Sequence, residues 1–318
     1  MDLPRLLDRF RGRRVAVLGD LAVDCYVETR PDRLSREAPV MVLRYERRRY
    51  APGCAANTVL NLRALGADVL PIGIVGEDEP GEALLAAFRH SGVPADGIVR
   101  AGRTVLKVRV VSGDFSRPKQ QVLRVDVEPD GAPPTPVRDL LRERSRLADG
   151  SDAIVVSDYG YGVASPSLLE GARGGAFVSV DSRERALEFP RAGLLKTNEA
   201  EAAALLHRRV ESDGEAADAA SELKRRSGAG CVLLTRGNRG MVVCDGVVHA
   251  LPIAGSAEIV DPTGAGDTVV AAATLAHVAG ASCLDAARLA NLAASVTVMK
   301  SGAAVVTPEE LLRAAART

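Results

Sequence analysis

From about Pro134 to the C-terminus, short apolar runs alternate with segments of helical spacing, and few architectures can absorb that pattern. "DAIVVSDYG", "AFVSVDSRE" and "GLLKT" read as strands without a polar face. "VRDLLRERSRLA", "SPSLLEGAR", "NEAEAAALL" and "GEAADAASELKRRSG" carry their apolar residues three and four apart. A strand that is apolar on both sides must be covered on both sides. The fold class is therefore read as α/β, a mainly parallel sheet with helices on both faces. "CVLLTRGNRGMVVCDGVVHALP" adds strands, and "AGDTVVAAATLAHVAG", "CLDAARLANLAASVTVMKSG" and "PEELLRAAAR" end the chain as helices.

The first 130 or so residues repeat these units with two interruptions. A short helix ends near Gly12; "RVAVLGD" and "DVLPIGIVG" read as buried strands, and "CAANTVLNLRALG" and "EPGEALLAAFRHSG" as helices. By contrast, "CYVETRPDRLSREAPVMVLRYERRRY", "TVLKVRVVSG" and "KQQVLRVDVE" alternate apolar and polar residues, as exposed paired strands do. These strands, within about 21–47 and 104–127, are expected to form a small β lid over one edge of the sheet. No low-complexity linker or internal repeat divides the chain, so 1–318 is read as one domain with a lid.

Composition narrows the function. Lys+Arg and Asp+Glu both total 41, a net charge of zero that offers no general field for nucleic acid or an anionic membrane. Any phosphate recognition must be local. The five cysteines are widely spaced with no CxxC pair, so neither a zinc site nor a disulfide framework is expected, and reduced cytoplasmic thiols are. "MDLPRLLDRFRGRR" is too charged for a signal peptide, and no apolar run reaches about 18 residues free of charge. The four histidines are scattered singly and are read as structural or exposed.

Two routes to a bound nucleotide are closed. Gly-Lys, which a P-loop requires, occurs nowhere, and the first strand is followed by "GDLAVD" instead of a GxGxxG turn. What remains is "DPTGAGDT", Asp261 to Thr268, directly before an apolar helix. Small residues there let an anion approach the free N–H groups at the positive end of the helix dipole. Asp267 would repel an anion that was merely held. It makes sense as a proton acceptor, with the N–H groups of Gly264, Ala265 and Gly266 facing the oxygens of a phosphoryl group in transfer. Such donors are typically worth roughly 3 to 4 kcal/mol each in the transition state.

These residues resemble the signature of the ribokinase, or PfkB, family of sugar kinases. Gly19-Asp20 with Asp24, "PGCAAN" (52–57) and Asn198-Glu199-Ala200-Glu201, similar to that family's NxxE element, follow in the family's order over nearly the whole chain. The resemblance implies a ribokinase-like fold, ATP as co-substrate with Mg²⁺, and a homodimer formed through the lid. It further implies that Glu201 binds Mg²⁺ through water, with Asn198 near the ATP phosphates and Thr235, Gly237 and Asn291 on the nucleotide. Asp261 is implied as a site for a monovalent cation, K⁺. On the sugar side it points to Asp24, Gly53 and Asn57, with Asp126 and Asp158 as further hydroxyl contacts. Lys107 and Arg109, which share a strand face at period two, and Arg124 suit a phosphate already on the sugar.

Within the family, "LSREAPVMVL", "VVSDYGYG" and the second pair of lid strands look most like the kinases of D-glycero-D-manno-heptose 7-phosphate. That likeness implies transfer to the C1 hydroxyl, giving the 1,7-bisphosphate. Many bacteria fuse this kinase to a nucleotidyltransferase; with its end at Thr318, this chain is expected to be the kinase alone. Two positions depart from the pattern: Gly53-Cys54 replaces the usual Gly-Gly, and Tyr161 stands where the heptose kinases tend to carry Lys. The same motif serves kinases of ribose, fructose, fructose 6-phosphate or nucleosides. It also fits a non-catalytic sugar or nucleotide sensor on the same fold, against which the intact Asp267 and anion turn count.

Overall fold

A computed structural model describes residues 2–114, 117–172, 174–190, 192–255 and 260–317. Residues 115 and 116, between the two expected strands of the lid range 104–127, and residue 173, the last of "SPSLLEGAR", lie outside the described residues. The strands are β1 (Arg14–Gly19), β2 (Leu21–Leu34), β3 (Met41–Cys54), β4 (Asp68–Val75), β5 (Ile98–Arg100), β6 (Val105–Asp114) and β7 (Arg117–Val127). They continue with β8 (Ala153–Asp158), β9 (Phe177–Ser182), β10 (Leu194–Asn198), β11 (Cys231–Thr235), β12 (Met241–Cys244) and β13 (Val248–Leu251).

Among the described residues nine strands form the main sheet in the order β13-β12-β11-β10-β9-β8-β1-β4-β5, parallel except at β12 and β13. Its strands are apolar on both sides because both sides are covered. In β1, Val15 and Val17 enter one core with the helices Ala55–Ala64, Ala265–Val278 and Cys283–Thr297, while Ala16 and Leu18 enter the other with Thr135–Ser145 and Asp213–Ser227. The helix Ala265–Val278 is buried at every residue from Asp267 to Ala276, which explains why it is apolar all round and rich in alanine. This is the ribokinase-like α/β fold that the sequence suggested.

The smaller sheet, β3-β2-β6-β7, is the expected lid with altered limits. β3 runs on to Cys54, because the charged run Arg47–Arg49 pairs in register with Val27, Glu28 and Tyr26. Nor is β2 exposed throughout: Leu21 to Tyr26 are buried where the lid leaves the main sheet. β5 has no clear signal in sequence, being only three residues long. The expectation of free thiols holds for Cys25, Cys54 and Cys244, whereas Cys231 and Cys283 are joined as a disulfide. Among the described residues no helix is long and apolar enough to cross a membrane.

Candidate active site

The C-terminal ends of β1, β8, β9, β10 and β11 carry Asp20, Tyr159, Arg183, Asn198 and Thr235 to one edge of the parallel sheet, where open α/β folds place their sites. Asp267, 3% exposed, lies in the first turn of the helix Ala265–Val278 at that edge. Its Oδ2 accepts a hydrogen bond from Asn57 Nδ2 at 2.9 Å; its Oδ1 accepts from Thr58 Oγ1 at 3.2 Å and Tyr159 OH at 2.7 Å. Burial raises its pKa above the ordinary carboxylate value, against the pull of these donors and of Lys196. A carboxylate so held is oriented and more basic than usual, which is what a proton acceptor needs.

Gly264 takes φ +80° at the N-cap, and a Cβ there would run into the Asn57 amide. Of the three amides assigned to the anion turn, Ala265 N–H is already bonded to the Pro262 carbonyl at 3.2 Å. Among the described residues the amides of Gly264 and Gly266 have no such partner. A cation that the motif did not indicate stands beside them. Lys196 on β10 is buried and paired with Asp181 at 2.9 and 3.1 Å, its ammonium 2.8 Å from where a Cβ of Gly266 would lie. Burial works against its charge, but Asp181, Glu201 and Asp267 raise its pKa, so it stays protonated. The signal in sequence was a lone Lys inside an apolar buried strand, in a chain with only five lysines.

Ala265 and Gly266 also line an apolar cleft with Thr235, Gly237 and Asn291, so the anion turn and the nucleotide candidates come together. Asn291 Nδ2 donates to the Pro252 carbonyl at 2.6 Å. Asn198 lies beside Thr235 in register, but Asn198 and Glu201 are bonded to each other's backbone amides at 2.9 and 2.8 Å as a capping box. Asp261 accepts from the amides of Thr263 and Gly302; these bonds outweigh the effect of burial and hold its pKa below the ordinary value.

On the sugar side, register places Ala51, Asp24, Lys107 and Asp126 in one row across the lid, and Arg49, Tyr26, Arg109 and Arg124 in the next. Asp24 is buried and ion-paired with Arg109, and Gly53 leaves room for it, since a Cβ there would lie 3.0 Å from the carboxylate carbon. Arg124 and Asp126 form a bidentate pair with each other. Asn57 is engaged on both sides of its amide: Nδ2 donates to Asp267 and to the Gly264 carbonyl, and Oδ1 accepts from Asn61. Asp158 is already bonded, accepting from Ser182 Oγ and Arg185 at 2.7 and 2.8 Å.

Lys107 differs from the arginines. It is 5% exposed, and among the described residues no carboxylate pairs with it. Its ammonium lies 2.9 Å from Cys54 Sγ and over the rings of Tyr159 and Tyr161, at 4.9 and 5.8 Å from their centroids. Both departures from the family pattern, Cys54 and Tyr161, therefore meet at this one cation. Burial pushes the Cys54 thiol up to about 12, so it remains neutral and does not compensate the charge.

Residues 13–118 and 179–310 match the model described as pfkB family carbohydrate kinase. The chain belongs to that family. It is accordingly a phosphotransferase acting on a sugar, and ATP is the implied co-substrate. The PfkB chain is 40% identical to "Bifunctional protein HldE" of Caulobacter vibrioides, over 97% of its own length and 64% of the relative's. It is 38% identical to the protein of that name from Hyphomonas neptunium, over 97% and 65%. The chain thus spans just under two thirds of these relatives. Phosphofructokinase-2 from Escherichia coli in complex with potassium superposes with a TM-score of 0.79 at 21% identity, over 96% of this chain and 99% of that one. Arabidopsis thaliana ribokinase complexed with ribose and ATP gives 0.73 at 20%, over 96% and 98%. At such identities the likeness is one of fold.

Proposed function

We propose that this PfkB kinase transfers the γ-phosphoryl group of ATP to the C1 hydroxyl of D-glycero-D-manno-heptose 7-phosphate. The observation that carries the reading of an already phosphorylated sugar is Lys107, a buried ammonium on the inner face of the lid with no carboxylate partner among the described residues. A phosphate supplies the missing anion. The choice of heptose rests on the likeness of Leu34–Leu43 and Val155–Gly162 to those kinases, and on the HldE-named relatives.

In this mechanism Asp267 takes the proton of the attacking hydroxyl, while Lys196 and the Gly264 and Gly266 amides face the charge on the transferring group. Mg²⁺ would be bound mainly by ATP phosphates and water, with Glu201 as an outer partner. The bound ion would neutralise charge on the β and γ oxygens. A K⁺ at Asp261 would have to share a carboxylate that already holds two amides. With ATP and a sugar phosphate as its substrates, the enzyme works in the cytoplasm.

We also assign a homodimer to the outer face of the lid. Leu123 and Val125 are 56% and 48% exposed there, next to Val110 and Val108 in register, on the face opposite the cations. A coupled ADP-release assay over heptose 7-phosphate, fructose 6-phosphate, fructose, ribose and adenosine tests the substrate. The expected outcome is the highest kcat/KM on heptose 7-phosphate; a clear preference for any unphosphorylated member would overturn the reading.

A further inference from the structure

The loop after β8 is tied to the end of β1. Asp20, buried, accepts the backbone amides of Tyr159, Tyr161 and Val163 at 2.7, 3.1 and 3.3 Å. The clamp fixes the backbone from which the Tyr159 ring reaches the base. Lys107 of the lid lies 4.9 Å from the ring centroid and Arg183 lies 5.2 Å from it, while the hydroxyl donates to Asp267 Oδ1.

The two oxygens of Asp267 are not equivalent. A carboxylate oxygen offers about two lone-pair sites. Among the described residues Oδ1 receives Tyr159 and Thr58 and is saturated, while Oδ2 receives only Asn57, leaving one site open. We propose that Tyr159 is a positioning residue that, with Thr58, fills Oδ1 and so directs the sugar proton to Oδ2. The same ring ties that orientation to the lid through Lys107. This inference rests on the reading of Asp267 as the base. In the step itself, the O–H bond of the sugar hydroxyl breaks toward Oδ2 as its oxygen bonds to the γ-phosphorus, and the bond from that phosphorus to the bridging oxygen of ATP breaks, releasing ADP.

Tyr159 stays a donor throughout, because burial and the nearby Asp267 charge hold its phenol well above the ordinary value. The other titratable groups facing the base are Lys196 of β10, Asp181 of β9 and Cys54 at the end of β3. A substitution at Tyr159 leaves all three in place.

The test is Tyr159→Phe, which keeps the ring for Lys107 and Arg183 and removes only the hydroxyl. Losing a donor to the carboxylate raises its pKa, so the acid limb of the kcat/KM profile should move to higher pH by about one unit. The value of kcat should fall about 10-fold or more, since charge-assisted hydrogen bonds are the strong class, with KM for ATP unchanged. Thr58→Val, on the same oxygen, should shift the limb in the same direction by less. Asp267→Asn run alongside separates the two readings. If Asp267→Asn retains turnover, the base assignment falls and this inference with it. If it is inactive while Tyr159→Phe titrates and turns over as the unmodified enzyme does, only the role of Tyr159 is overturned.

Discussion

Gly266 and Lys196 exclude each other's side chains: a Cβ on the glycine would lie 2.8 Å from the lysine ammonium, itself anchored by Asp181. The colliding atom is the end of a long side chain, so Gly266→Ala should fold with little loss of stability. It should nevertheless push the ammonium off the anion turn. Removing a single preorganised donor at such a site typically costs about 10²-fold or more in kcat. We expect a fall of at least about 10-fold from this partial displacement, with the melting temperature nearly unchanged, and a larger fall for Lys196→Met. Turnover by Gly266→Ala at the unmodified rate would remove Lys196 from the mechanism.

To accept a proton as proposed, Asp267 has to be ionised, and burial raises its pKa above the ordinary carboxylate value. Activity is therefore lost as pH falls through that raised value, so the acid limb of kcat/KM should lie above the range of an exposed aspartate. Asp267→Asn should lower kcat by about 10²-fold or more, the usual contribution of a positioned base, with the KM for ATP within a few-fold. An acid limb near pH 4 or below in the unmodified enzyme would contradict the burial argument.

How much of this was legible depended on whether a residue's role is local. The alternation of buried strands and helices follows from nearest-neighbour chemistry, and it gave the α/β sheet directly. "DPTGAGDT" announces a helix start with room at its first amides, which is also local. Asn198 and Glu201 show the limit: N-x-x-E is equally the pattern of a capping box, and their side chains make one. Asn57 and Asp158 could be placed near the site from strand ends, but not aimed. Their directions depend on Asp267 and Arg185, 210 and 27 residues away. Tyr159 bonds Asp267 and Lys196 lies beside Gly266 only because β8 and β10 are near neighbours in the sheet, separated by β9, an order the sequence does not print.

The bond between Cys231 and Cys283 joins the start of β11 to the first turn of the helix that carries Asn291. It spans 52 residues of sequence, and closing a loop of that size stabilises by about 4 kcal/mol in the chain-entropy account. Denatured without reductant, the purified protein should show three free thiols and not five. Cys283→Ser should lower the melting temperature by several degrees. Five titratable thiols would restore the original expectation of reduced cysteines.

If the outer face of the lid is the dimer interface, one charge on it should separate the subunits. Val125→Lys places an ammonium beside Val108, where the opposing apolar surface cannot solvate it. The expected result is a monomer by sedimentation, with secondary structure intact. A dimer as stable as that of the unmodified chain would move the interface elsewhere.

The three lid cations should separate by how each is already paired. Arg124 has a half-exposed side chain and a bidentate partner in Asp126, so Arg124→Ala removes a surface pair typically worth about 0 to 1 kcal/mol and should change KM little. Arg109 neutralises buried Asp24; its removal strands a carboxylate, and Arg109→Ala should lose stability as well as activity on any sugar. Of the three, Lys107 is the one that among the described residues has no ion-pair partner; Asp24 and Asp126 flank it in register, but its ammonium is held by a neutral thiol and two tyrosine rings. Lys107→Met keeps most of the side-chain volume and removes the charge. Its KM for the phosphorylated sugar should rise about 10- to 150-fold, the range of a lost charge-assisted contact of about 1.5 to 3 kcal/mol, while the unphosphorylated analogue is affected far less. Equal losses on both sugars would mean that Lys107 orders the lid without reading a phosphate, and the heptose 7-phosphate assignment would then stand on family likeness alone.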